Sequence, residues 1–147
     1  MSTPIGLDCT LNRNTATYGT PTWSPITIAR DVTLDIEQGS TEADSRANQE
    51  WSVNLLTRKK ASISFDVIDK PGDTNLEAIR DAFLNKTALD IACLDGEADE
   101  VGAQGLRADF GVTKFSRNEP QEGVVTYSVT IIPLLTANLP TWMEVEA

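Results

Sequence analysis

The chain has 147 residues, 40% of them hydrophobic and only 6% aromatic, with a mean hydropathy of -0.22, a length that supports one domain with its own core. Asp and Glu number 22 against 12 Lys and Arg, giving a net charge of -10 and a pI near 4.3, so tight nucleic-acid binding through a basic surface is disfavoured. Histidine is absent, which removes the commonest general base and metal ligand, and no stretch is apolar for long enough to make a membrane helix.

The opening, Met1 to Leu11, has neither a basic patch nor an apolar run, so no signal peptide is expected and synthesis in a cytoplasm follows. Leu7, Cys9 and Leu11 alternate with Asp8, Thr10 and Asn12, the period of a half-buried strand. Both cysteines, Cys9 and Cys93, fall on apolar parity, where a thiol acts as a small hydrophobe, and no disulfide is expected between them. Asn14 to Pro25 is rich in Thr, Gly and Pro and reads as loop. Ile26, Ile28, Val32, Leu34 and Ile36 share one parity, broken only by Arg30, and predict a long strand ending near Gly39.

Glu37 to Glu50 is polar and carries no fold signal, so a flexible loop is expected there, and compact domains rarely keep such a loop without a use. Trp51 to Ile68 then reads as two short strands (Trp51, Val53, Leu55 and Ile63, Phe65, Val67 pointing one way) joined by a turn at Arg58-Lys59-Lys60. Pro71-Gly72-Asp73 marks a turn, and Thr74-Asn75-Leu76-Glu77 has the form of a capping box, in which threonine and glutamate satisfy the first backbone N–H groups of a helix. The predicted helix runs over about 74–86, with Leu76, Ile79, Ala82 and Phe83 at helical spacing.

Leu89, Ile91 and Cys93 predict another strand, and Asp95 to Gly105 an acidic, mobile loop. Leu106, Ala108, Phe110 and Val112 alternate, Asn118 to Gly123 turns around Pro120, and Val125, Tyr127, Val129 and Ile131 return, together a long hairpin. From Pro133 to Ala147, Leu134, Leu135, Leu139, Trp142 and Val145 stand among prolines, an extension that packs across the body or reaches a neighbour.

Candidate chemistry is sparse. Asp95-Gly96-Glu97-Ala98-Asp99-Glu100 lacks the alternating acids and distant glutamate of a calcium loop. Asn85-Lys86-Thr87 matches a glycosylation acceptor without any secretion signal. No phosphate-cradling glycine loop, zinc site or nucleophile elbow is present, and no pair of carboxylates is singled out, so neither an enzyme nor a cofactor or metal site is expected. The polar faces of the strands are less ordinary: Thr27, Asp31, Thr33 and Asp35; Ser62, Ser64 and Asp66; Thr126, Ser128 and Thr130 are all short. Such faces either meet solvent or form a smooth, hydroxylated surface lining something.

Several stretches in order resemble the tail tube (major tail) proteins of long-tailed bacteriophages and phage-like particles. They are Ile5-Gly6-Leu7-Asp8; Pro21-Thr22-Trp23 leading into Ala29-Arg30-Asp31-Val32-Thr33-Leu34; Glu42-Ala43-Asp44 with Arg46; Ala61-Ser62-Ile63-Ser64-Phe65; the helix Leu76 to Leu84; and Phe115-Ser116-Arg117-Asn118-Glu119-Pro120. The resemblance spans nearly the whole chain, although Ser45 and Asn48-Gln49-Glu50 depart from the Thr- and Gly-rich loops of relatives. It implies a mainly β fold, a β-sandwich or partly closed antiparallel β-barrel with one flanking helix, in a single domain over 1–147.

It further implies a structural subunit whose homo-hexameric rings stack into a hollow conduit for DNA, located in the virion tail and assembled in the host cytoplasm. The implied partners are further copies of the chain, other tail proteins (tape measure, tail terminator and, in some tails, a sheath) and DNA that passes without tight binding, with no membrane. Glu37, Thr41, Glu42, Asp44, Arg46 and Glu50 would order against the adjacent ring. Either Ser62, Ser64 and Asp66 or Thr126, Ser128 and Thr130 would line the lumen, which is expected to be acidic because six copies carry roughly -60 charges. The alternatives are a small carbohydrate- or protein-binding sandwich using Trp23 or Trp142, and a tube subunit like that of type VI secretion.

Overall fold

A computed structural model describes residues 10–43 and 50–146. The chain forms β1 (Thr10–Asn14), β2 (Trp23–Pro25), β3 (Ala29–Glu42), β4 (Asn54–Ile68), helix α1 (Thr74–Asn85), β5 (Leu89–Leu94), β6 (Gln104–Asn118), β7 (Thr126–Pro133) and β8 (Thr141–Glu144). All eight strands belong to one antiparallel sheet in the order β2-β1-β5-β6-β7-β4-β3, with β8 added to β6. The sheet is not closed into a barrel: β2 and β3 end it. It nevertheless curls on itself, because Leu11 of β1, Ile63 of β4 and Ile91 of β5 belong to one core cluster.

Strict alternation explains the core. On β4, Ile63, Phe65 and Val67 are buried, and they lie level with Ile131, Val129 and Tyr127 on β7. On β5 and β6, Ile91 pairs with Ala108, and both are inaccessible. Each large side chain so buried contributes roughly 1.5–3 kcal/mol. Helix α1 closes this core with Leu76, Ile79 and Ala82, and its Phe83 ring stacks 5.9 Å from Phe115, which in turn stacks 4.8 Å from Tyr127.

The helix was correctly placed by its spacing, but its cap is one residue earlier than expected. Asp73, in extended backbone, accepts from the N–H groups of Asn75 and Leu76, so the carboxylate and not the Thr74 hydroxyl serves the first turn. At the other end Lys86 takes a left-handed conformation and its N–H bonds the Ala82 carbonyl, ending the helix.

Four expectations need correction. The segment from Glu37 is not all loop: β3 continues to Glu42, with Glu37 opposite Lys60, Thr41 opposite Leu55 and Glu42 opposite Asn54. Trp51 to Ile68 is not two strands with a turn, since Arg58-Lys59-Lys60 lies in the middle of the continuous β4. Pairing with β3 holds Lys59 and Lys60 on opposite faces, with a bulge at Thr57 and Arg58 opposite Gly39, and this pairing outweighs their weak strand preference. Trp23–Pro25, read as loop, pairs with β1. Finally, Ile26 and Ile28 are buried ahead of the strand that begins at Ala29, and a bulge at Asp31 and Val32, with Asp31 at φ 53°, shifts the parity they suggested.

The two long strands of the hairpin read correctly as β6 and β7. The opening strand is described only from Thr10, so Leu7 and Cys9 lie outside the described residues, as do Asp44 and Arg46. Cys93 packs half-buried against the core. The acidic segment after β5 is tied to the sheet: Thr10 Oγ1 donates to the Gly96 carbonyl at 2.6 Å, and the Gln104 N–H donates to Asp95 Oδ1 at 2.9 Å. The C-terminal extension contributes β8, which lies along Gln104 to Arg107 on the same edge of β6 that β7 occupies further on.

Candidate functional site: a polar face between two open edges

Strands β3, β4, β7 and β6 lie side by side, and their registers assemble one polar surface. Arg30, Asp66, Ser128 and Ser116 form one row across the four strands; Thr33, Ser64, Thr130 and Lys114 form the next; Asp35 and Ser62 form a third with Glu37 and Lys60 beyond. The two sets of candidates offered as alternatives, Ser62, Ser64, Asp66 and Thr126, Ser128, Thr130, are therefore neighbours on one face. Ser128 Oγ donates to Asp66 Oδ1 at 3.0 Å, and the Ser64 and Thr130 hydroxyls are 3.5 Å apart. Thr126 lies opposite Asn118 and Ile68 at the end of the face.

The charge of this face differs from that of the chain. It carries Arg30, Lys60 and Lys114 against Asp35, Glu37 and Asp66, so it is balanced where the chain as a whole is acidic. Acid is concentrated elsewhere, as at Asp95, Glu97, Asp99 and Glu100 after β5. Sequence reasoning noticed Arg30 only as a break in an apolar stripe and missed Lys60 and Lys114: the first was read as part of a turn, and a register shift between Val112 and Lys114 hid the parity of the second.

Among the described residues no strand pairs with the outer edge of β3, nor with the outer edge of β6 beyond Phe110, where β5 ends. Such edges are templates for further pairing. Beyond the body, the β3–β4 pair runs on as a two-stranded arm, since β7 accompanies β4 only from Ile63. The arm is exposed along its length and apolar near its end: Trp51 is 78% exposed and Leu56 70%, and Leu55 and Val53 are also accessible. Glu37, Thr41 and Glu42 lie on its β3 side, and Glu50 lies exposed in the turn before β4.

The opposite side of the molecule is pinned internally. Arg107 holds Asp90 in a two-point ion pair (Nε to Oδ1 3.1 Å, Nη2 to Oδ2 2.7 Å), with both side chains only 12% exposed. Its hydrogen bond to Asp90 raises the guanidinium pKa above the ordinary value despite desolvation. The same group lies 3.8 Å from the Tyr18 ring and 4.9 Å from that of Trp23, and donates to the Tyr18 carbonyl. Trp23 is thus a packing partner of this cation, while Trp142 donates to Gln104 Oε1 at 2.9 Å. An open cleft of about 940 Å³ between the start of β3 and the ends of β1, β5 and β6 is lined largely by Ala29, Val32, Leu34, Leu94 and Trp142, with Asp31 and Asp95 at its margin. No cluster of three metal-binding side chains occurs among the described residues.

Solved structures share this fold. The chain from the tail of an empty gene transfer agent particle, refined with C6 symmetry, superposes with a TM-score of 0.74 at 16% identity, covering 96% of this chain and 99% of that one. One from the virion of a native gene transfer agent particle gives 0.71 at 17% identity, covering 95% and 99%. The SPP1 tail tube gives 0.69 at 17% identity, covering 97% and 81%. No curated protein matches the sequence. The phage tail tube protein family model matches residues 15–132, and with four-fifths of the sequence inside that match the chain belongs to the phage tail tube protein family, as a structural subunit and not an enzyme.

Proposed function

We infer that six copies close into a ring and that rings stack into a hollow conduit for DNA, with the β6-β7-β4-β3 face lining the bore. The observation that carries this reading is the polar face bounded by two unpaired edges. Its four strands alternate in direction, so β6 of one copy meets β3 of the next as another antiparallel neighbour, and six copies would close a barrel of twenty-four strands without a parallel joint. The C6 symmetry of a similar tail supports the number. The lining then comprises Ser62, Ser64, Asp66, Thr126, Ser128 and Thr130 together with equal numbers of opposite charges. Short hydroxyls and balanced charge offer DNA no basic stripe to hold, and passage requires weak contact.

The β3–β4 arm, with Thr41, Glu42, Glu50 and the adjoining Asp44 and Arg46, reaches the adjacent ring and buries its apolar end there, while Glu37 at the root of the arm stays on the bore face. Assembly in the host cytoplasm, with a tape measure, a terminator and in some tails a sheath as further partners, belongs to the same reading. Negative-stain microscopy of the purified chain at high concentration tests it. Hollow filaments with six-fold cross-sections are expected; compact monomers at every salt and protein concentration would refute the tube.

A further inference from the structure

This inference rests on the ring reading and concerns how one copy recognises the next. On the polar face the β3 edge presents Asp35 and Glu37, and the β6 edge presents Lys114. All three are exposed, and none has an ion-pair partner among the described residues, although Glu37 stands across from Lys60 in register.

Within one copy the row Thr33, Ser64, Thr130, Lys114 runs straight across the four strands. In a closed barrel such a row does not return to its start. With strands tilted by about 35–45° and about 4.8 Å apart, closure displaces it by about one residue per strand, so about four per copy. Only even displacements keep the polar side chains on one face. A displacement of this size in one direction brings Lys114 level with Glu37 of the next copy, with Asp35 one pleat away. The opposite direction brings it toward Arg30, cation against cation, which cross-strand pairs disfavour. The twist of strands built from L-residues fixes one hand for this stagger, and the charges suit the direction that sets Lys114 beside Glu37.

The layer behind the polar face supports the same seam. Ile36, on the core side of the β3 edge, is 45% exposed, and Phe83 of α1, stacked behind β6 on Phe115, is 37% exposed. Large apolar side chains left accessible beside both edges mark a surface completed by association. We propose that ring closure is keyed by an ion pair between Lys114 of one copy and Glu37, with Asp35 beside it, of the next, backed by Phe83 packing against Ile36.

The test uses the full chain in two variants, Lys114→Glu and the double variant Asp35→Lys/Glu37→Lys, each alone and mixed one to one. Each alone sets like charges across every seam, and the concentration required for assembly should rise at least about tenfold by sedimentation and microscopy. In the mixture, alternating copies place opposite charges at every seam, which an even-numbered ring accommodates, so assembly should return to the wild-type range. Circular dichroism of the subunits confirms folding, and if a reversal unfolds the chain, Lys114→Gln and Glu37→Gln should each weaken assembly without rescuing each other. Variants that assemble alone as the wild type does, or a mixture as inert as its folded components, overturn the seam and leave the tube standing. A wild-type chain that forms no rings overturns the tube reading, and the seam with it.

Discussion

The two halves of the sheet are built to different ends. Around β1, β5 and the first half of β6, side chains find partners inside the same chain: Ile91, Ala108 and Phe110 are inaccessible, and Arg107 is held by Asp90 and two rings. Around β3 and the first half of β4, backbone pairs with backbone but almost nothing covers the faces. Folding free energy is collected in the first region, while the second keeps its apolar and charged groups available. Substitutions should therefore separate into those that unfold the subunit and those that only stop it associating.

The largest effect is expected at the packed end. Phe110→Ala removes an inaccessible ring and should cost about 3–5 kcal/mol in urea unfolding of the free subunit. Arg107→Ala leaves the Asp90 carboxylate with only the Asn14 amide at 2.9 Å, and should cost about 3 kcal/mol by the same measurement. Asp73→Ala removes the cap that serves two N–H groups and should cost about 1 kcal/mol. At the sparse end, the double variant Leu55→Ser/Leu56→Ser should shift unfolding by less than about 0.5 kcal/mol, because both side chains already face solvent. Filament length in micrographs should nevertheless collapse in that variant; filaments of normal length would show that the arm is not the joint between rings.

Much of the packed half was legible because its signals are local. Leu89 to Cys93, the alternation from Leu106 and from Val125, and the spacing of Leu76, Ile79 and Ala82 each announce an element without reference to any other. The sparse half was read poorly because it is held by pairing between distant segments. Nothing near Arg58-Lys59-Lys60 says strand; Gln38 and Glu37, about twenty residues earlier, do so by lying opposite them. The hydroxyl-rich strands were visible as a pattern, but their adjacency depends on β4 meeting β7, with Asp66 opposite Ser128. Asp73 was read only as part of a turn; its extended backbone and its carboxylate, which accepts from two N–H groups, make it the cap in place of Thr74.

Strand β6 spans both halves without a break. Its first residues are flanked by β5 on one side and β8 on the other, and its last ones run along the edge where the next copy would join. Tension applied to one member of a tube at that edge enters a covalent backbone that leads directly into the most deeply enclosed part of the same molecule. Mechanical load thus reaches the interior through peptide bonds, without first crossing a side-chain contact that could slip.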